Sequence, residues 1–229
     1  MKGPKSRKGI ASRNIGRIIS ILKKRYPDDF AGSNITEEPF QVLIGTVLSH
    51  QTRDERTIIG SRKLFSKFPD AKSLSKAKVS ALRELIKPVG MYNVKAKRIK
   101  EISKILVDKY GGKVPRKYEQ IVSLPGVGRK TANILFSYAY GNPDYIAVDT
   151  HVHKISNRLG LVKTNNPDKT EIELYKAVPK KQWRHVNELF VQHGQTICKA
   201  RPKCNECPIS RYCSYFKNVK KQSGLCRQG

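Results

Sequence analysis

Along most of the chain apolar residues recur every three or four positions, and no sustained stretch alternates apolar with polar residues. The first spacing lines one face of an α-helix, whereas a half-buried strand needs the second, so the pattern predicts an all-α fold. Ile15, Ile18, Ile19 and Leu22 form one stripe within a helix expected over 13–26. Phe40, Leu43, Ile44, Val47 and Leu48 mark a helix over 38–49, and Ile58, Ile59, Leu64 and Phe65 one over 54–67. Ser75 to Ile86 reads as a further helix, ending before Pro88 and Gly90. Val94 to Tyr110 places Ile99, Ile102 and Ile105 inward with lysines outside, and Gly111-Gly112 stops it. A short helix near 116–123 leads into a glycine turn; the helix after it runs to about Tyr140, where Gly141-Asn142-Pro143 ends it. Asp149, a good N-cap residue, opens another helix, and two more are expected near 168–178 and 181–196.

The glycine turn reads LPGVGRK, Leu124 to Lys130. Glycine admits positive φ and lets the backbone approach a ligand closely. A tight turn opening onto a helix leaves N–H groups free to meet an anion. A P-loop is excluded, because Gly126 and Gly128 are one residue apart and Lys130 follows neither glycine directly. The stretch YEQIVSLPGVGRKTANILFSYAY reads as helix, glycine hairpin and helix, an element that positions a nucleic-acid backbone through its phosphates without reading sequence. A plain interhelical turn is the alternative.

Charge supplies the anion. The chain has 229 residues, enough for one large domain or two small ones, and 46 Lys and Arg against 18 acids give a formal net charge of +28. The cations run along nearly the whole chain, which points to a polyanion and first to nucleic acid. A merely solvated surface or a ribosome-associated protein would share this composition. No apolar run approaches the ~20 residues of a spanning helix, so no membrane partner is expected. The acid-free N-terminus resembles a transit peptide in composition, but its apolar stripe suits packing on a domain. Residues 1–12 are read as a disordered basic arm.

Two residues flank a possible chemistry. Lys130 falls in the first turn after the hairpin, where the helix dipole and Arg129 disfavour its ammonium form. Such an amine can attack a sugar carbon and form a Schiff base, although a surface lysine is the ordinary reading. Asp149 is either an N-cap alone or a carboxylate that stabilises an oxocarbenium-like sugar and accepts a proton. The five cysteines all lie beyond residue 197. A disulfide framework would scatter them. Cys198, Cys204, Cys207 and Cys213 instead form a local ligand set for either Zn²⁺ or an iron–sulfur cubane, and Cys226 falls outside it.

LPGVGRKTAN followed by AVDTH and then four cysteines resembles the endonuclease III family of helix-hairpin-helix DNA glycosylases. VLIGTVLSHQTRD resembles that family's S-x-Q segment and IKPVGMYNVKAKRI its G-x-Y-N-x-K-A segment, in order, from about Ile15 to Cys213. The resemblance implies two helical lobes with the DNA site between them: a six-helix barrel over 32–143, and a cluster lobe of residues 13–31 with 144–229. It implies Lys130 as nucleophile, Asp149 as catalytic carboxylate and Leu124, Gly126, Val127, Gly128 and Arg129 as the phosphate-binding hairpin. Gln51 and Met91 would fill the gap left by the damaged nucleotide, a task suited to long side chains; core packing is the other reading of Met91. The four cysteines would hold a [4Fe–4S] cluster in preference to zinc, although their first spacing is one residue shorter than the family's usual one.

The function implied is base-excision repair. Oxidised or ring-saturated pyrimidines would be removed from duplex DNA, and the abasic site cleaved by β-elimination. A mismatch-specific glycosylase on the same fold is the near alternative, and a non-catalytic DNA-binding protein with a structural metal the distant one. The expected partner is double-stranded DNA with a damaged base or abasic site, met by an intracellular monomer in a prokaryotic nucleoid or a nucleus.

Overall fold

The computed structural model describes residues 10–26, 38–142 and 144–222. Every regular element among them is helical. Residues 1–9 of the expected arm and Cys226 lie outside the described residues. The chain divides into two units, Met1–Phe30 with Pro143–Gly229, and Ala31–Asn142.

The first unit is built from α1 (Ile10–Arg13), α2 (Ile15–Arg25), α10 (Thr150–Leu159), α11 (Pro167–Ala177), α12 (Trp183–Thr196) and α13 (Ser214–Gln222). Its core gathers Ile15, Ile18, Ile19 and Leu22 of α2 with Val152 and Ile155 of α10 and Val186, Leu189 and Phe190 of α12. Fully burying one such side chain stabilises by roughly 1.5–3 kcal/mol, which is what holds the N-terminal helix against α12. Two expectations are corrected here. Residues 10–12 are not arm: Ile10–Arg13 is helical and Ala11 is fully buried. The helix expected over 13–26 is also interrupted, because the Asn14 side chain donates to the Ile10 carbonyl at 2.8 Å and its own backbone leaves helical geometry.

The second unit holds α3 (Pro39–Ser49), α4 (Asp54–Lys67), α5 (Ala71–Lys76), α6 (Val79–Leu85), α7 (Tyr92–Tyr110), α8 (Tyr118–Val122) and α9 (Arg129–Tyr138). α3 buries eight of the nine positions from Phe40 to Leu48 and is the hub, packing on α4, α7 and α9. The single helix expected from Ser75 to Ile86 is in fact two. Asp70 starts α5 early, accepting from the Ser73 amide at 2.8 Å in a capping box. Ala77 and Lys78 are then extended before α6 begins. Local propensity does not force that break; α5 and α6 each pack on α7, and the break lets both do so. α7 buries Ile99, Ile102 and Leu106, leaving Ile105 only half-buried.

Candidate functional site

In the second unit, α8 and α9 are clamped around the hairpin. Tyr118 stacks on Phe136 at 5.8 Å between centroids, and its hydroxyl donates to Asn133 Oδ1 at 3.0 Å. Leu124 and Val127 are buried and anchor the turn from below. Their amides are consumed within it, Val127 N–H reaching the Leu124 carbonyl at 3.0 Å and Leu124 N–H that of Ile121 at 3.1 Å. The exposed Gly126 and Gly128 amides have no hydrogen-bond partner among the described residues. Only part of the turn's donors therefore face outward. Gly126 sits at φ +69, and a Cβ there would run into the Arg98 guanidinium, which brings a cation to the hairpin from α7. That cation was not visible from the turn's own sequence.

Gly128 is the N-cap of α9, so Arg129 and Lys130 are its first two residues. Arg129 is exposed and Lys130 half-buried. From the far side, His50 Nε2 lies 3.1 Å from the Thr131 hydroxyl. Burial, followed by the charges of Lys130, Lys95 and Arg98, pushes the His50 imidazole from 6.5 down to about 4. His50 is thus a neutral ring beside the first turn of α9, occupying the middle of the S-x-Q segment.

The His50 shift has a consequence for stability. Its folded-state pKa lies below its ordinary value, so as the pH falls the unfolded chain takes up the proton first. The folded state then loses stability between about pH 6.5 and about pH 4. Melting curves at about pH 7 and about pH 5 are expected to separate less for His50→Gln, which keeps a hydrogen-bonding group but does not titrate. Equal separation in the two proteins would show that His50 is not held neutral.

Gln51 and Met91 are the two non-glycine residues with positive φ among the described residues, at 51° and 56°. Each such backbone costs on the order of 1–3 kcal/mol and persists only where its surroundings over-determine it. Both side chains are exposed, Met91 by 57%, which removes the core-packing reading of Met91. Beside Gln51 lies Lys95. This side chain is buried, and its ammonium donates to the Leu48 carbonyl at 2.8 Å, to the His50 carbonyl and to Thr52 Oγ1 at 2.9 Å. Burial and then Arg98 lower its pKa to about 8.

In the first unit, Asp149 is the N-cap of α10, its Oδ1 accepting from the Val152 amide at 2.8 Å. The segment before it is held by buried Ile146, Ala147 and Val148 and by Asn187, which donates to the Ala147 carbonyl at 2.9 Å. The capping role is therefore real, and the carboxylate is only half-buried. Lys130 and Asp149 belong to different units.

Cys198, Cys204, Cys207 and Cys213 line one hollow with Ile155, Ile197 and Ile209. The short first spacing closes cleanly, the Lys203 amide donating back to the Ile197 carbonyl at 3.1 Å. Burial raises the thiol pKa values of Cys204, Cys207 and Cys213, that of Cys207 to about 11, and neighbouring cysteines add to the rise. Arg158 of α10 braces the rim: its Nη1 donates to the Lys199 carbonyl at 2.7 Å and to Cys198 Sγ at 3.3 Å, its Nη2 to the Ala200 carbonyl at 3.1 Å. His193 Nε2 lies 3.5 Å from Cys207 Sγ. Neither Arg158 nor His193 stood out in the sequence, because each lies on a helix outside the cysteine segment, Arg158 far from it and His193 just before it.

The family model for the HhH-GPD superfamily of base excision DNA repair proteins matches residues 44–180. The chain is 49% identical over 201 residues to endonuclease III of Thermotoga maritima, covering 87% of this chain and 94% of that relative. To endonuclease III of Synechocystis it is 38% identical over 197 residues, 86% of this chain and 90% of the relative. Among solved structures, a trapped endonuclease III–DNA covalent intermediate, an estranged-adenine complex, matches with a TM-score of 0.80 and 34% identity, covering 91% of this chain and 98% of that one. A thermostable thymine-DNA glycosylase matches with a TM-score of 0.79 and 26% identity, covering 91% and 99%.

Proposed function

The chain belongs to the HhH-GPD superfamily of base excision DNA repair proteins, and from that premise we propose a bifunctional glycosylase and lyase working through Lys130. Its substrate is an oxidised or ring-saturated pyrimidine in duplex DNA. The observation that carries this reading is the place of Lys130, in the first turn of α9 directly after a hairpin whose Gly126 and Gly128 amides have no internal partner. Those amides and Arg129 hold a backbone phosphate. Holding it fixes the distance from the sugar to the lysine.

The Lys130 amine forms a bond to C1′ as the C1′–N bond to the damaged base breaks, and the base leaves with the electron pair and takes a proton from water. Asp149 offsets the positive charge that develops on the sugar and accepts the proton that the amine gives up. The sugar ring opens to a Schiff base. Loss of the C2′ proton then expels the 3′ phosphate and cuts the strand. Gln51 and Met91, exposed and held with positive φ, fill the space from which the nucleotide has turned out.

The donor set of the hollow fits a [4Fe–4S] cluster. Four thiols line one shared hollow, and four thiolates are the donor set such a cluster takes. Cys198, Cys204, Cys207 and Cys213 would hold the cluster, which when bound ties the ligand loop to itself by iron–thiolate bonds. Arg158 holds the first arm of that loop through the Lys199 and Ala200 carbonyls.

No helix among the described residues is long and apolar enough to cross a membrane, and DNA is the partner this reading requires. The likeness to a thymine-DNA glycosylase gives the nearest alternative, a mismatch-specific enzyme. Single-turnover excision on duplexes with one oxidised pyrimidine, a G·T mismatch or an A·G mismatch separates them. The oxidised pyrimidine is expected to be released at least about a hundredfold faster, a margin that differential contacts in a lesion pocket can supply. Equal or faster release from a mismatch would overturn the substrate assignment.

A further inference from the structure

Lys95 sits on α7 one turn past Met91, yet its ammonium is spent on a different element. Its three protons meet three acceptors: the carbonyls of Leu48 and His50 at the end of α3, and Thr52 Oγ1. An ammonium has three donors and no acceptor, so the group is fully satisfied. The residues on either side of Gln51 are thereby held, His50 by its carbonyl and Thr52 by its hydroxyl. Thr52 Oγ1 in turn accepts from the Gly90 amide at 3.1 Å and donates to the His50 carbonyl at 3.2 Å. The turn before Met91 is therefore bonded to the turn that carries Gln51. The two turns also touch directly. A Cβ on Gly90 would lie 2.8 Å from the Gln51 carbonyl oxygen and 3.2 Å from Thr52 Oγ1, so only glycine permits the approach.

We propose that Lys95 is a positioning residue for gap filling, a buried staple that locks the Gln51 turn and the Gly90–Met91 turn into one rigid body. The inference rests on the gap-filling reading of Gln51 and Met91. Two strained residues on separate elements must enter the base stack together, and an error of about 1 Å in such placement costs on the order of a hundredfold in rate. A lysine suits the task. It reaches across from α7 with its stem buried, and its head group meets carbonyls that α3 leaves unpaired at its C-terminus. Arginine has a planar fork in place of three tetrahedrally disposed donors. Methionine has the length and no donor.

The test uses one abasic-site strand, single or annealed to its complement, and reads the ratio of the two single-turnover cleavage rates. A single strand has no opposite base and no stack to refill, so gap filling contributes to the duplex rate alone. Lys95→Met is expected to lower the duplex-to-single-strand ratio at least about tenfold. Thr52→Val, which removes only the hydroxyl joining Lys95 to Gly90, is expected to lower it about threefold and serves if Lys95→Met does not fold. The double variant Gln51→Ala with Met91→Ala tests the underlying reading. If its ratio is unchanged, gap filling by these residues is wrong and the staple falls with it. If its ratio drops while those of Lys95→Met and Thr52→Val do not, the gap-filling reading stands and the staple is overturned. Equal losses on both substrates in Lys95→Met would likewise overturn it, as the signature of a merely destabilised fold.

Discussion

Lys130→Gln is expected to lose strand cleavage and borohydride trapping outright while still binding duplex DNA. Glutamine is close to lysine in length, so the first turn of α9 and the hairpin before it keep their packing through Leu124, Val127 and the Tyr118–Phe136 stack. What disappears is the amine. An amide nitrogen is not a nucleophile toward C1′, so no imine forms, and β-elimination has no electron sink. Binding survives because it rests on many cations; the chain carries 46 Lys and Arg, and one fewer changes the salt slope by at most about one unit. Cleavage of abasic-site duplex, adduct formation with borohydride and a titration of the same duplex form the complete measurement. Full cleavage by the variant would remove Lys130 from the mechanism.

Asp149→Asn is expected to fold and bind normally yet excise the base at least about a hundredfold more slowly. The structure makes this substitution unusually discriminating. Asp149 Oδ1 accepts from the Val152 amide at 2.8 Å, and an asparagine carbonyl oxygen can accept the same bond. Asparagine and aspartate cap helices about equally well. The anchoring of the preceding segment by Asn187 and by buried Ile146 and Val148 does not involve the carboxylate charge. The substitution therefore removes charge and proton affinity and little else. Acid–base assistance and charge stabilisation of this kind are worth ~10²–10⁴ in rate. Melting curves run beside single-turnover excision read the two roles separately. Normal excision would leave Asp149 a cap alone, and lost stability would call for Asp149→Ser, which caps without charge.

Much of the fold was legible because it depends on patterns that are local in sequence. The stripe Ile15, Ile18, Ile19, Leu22 and the apolar run of α3 can be read from spacing alone, and both are buried. The capping of α10 by Asp149 needed only the knowledge of which side chains accept from an amide. Errors came where a side chain competes locally for the backbone and where tertiary packing overrides local preference. Asn14 breaks the N-terminal helix through its own side chain, and α5 and α6 separate to pack individually on α7. Residues 214–222 are helical beyond Cys213, where the apolar stripe of Tyr215, Phe216 and Val219 is too short to have stood out.

At the candidate site, the residues that sequence alone proposes are those within a contiguous motif. Lys130 and the cysteines belong to that class. Lys95, His50 and Arg98 all lie inside quoted segments, but each acts on a motif other than its own, and only folding shows it. Nothing in the bare count of 46 Lys and Arg marks Lys95 as buried. The signal that could have singled it out is charge on the wrong face: Lys95 precedes Ala96 and Ile99, at positions the helical period assigns to the core.

The central claim is that Lys130 becomes covalently joined to the sugar of a damaged nucleotide. Wild-type protein should be incubated with a duplex holding one oxidised pyrimidine in the presence of borohydride, digested, and the DNA-bearing peptide sequenced by mass spectrometry. The account predicts a one-to-one adduct, with the reduced sugar attached to Nζ of Lys130. Base release with no trapped adduct, or an adduct on any other residue, would contradict it.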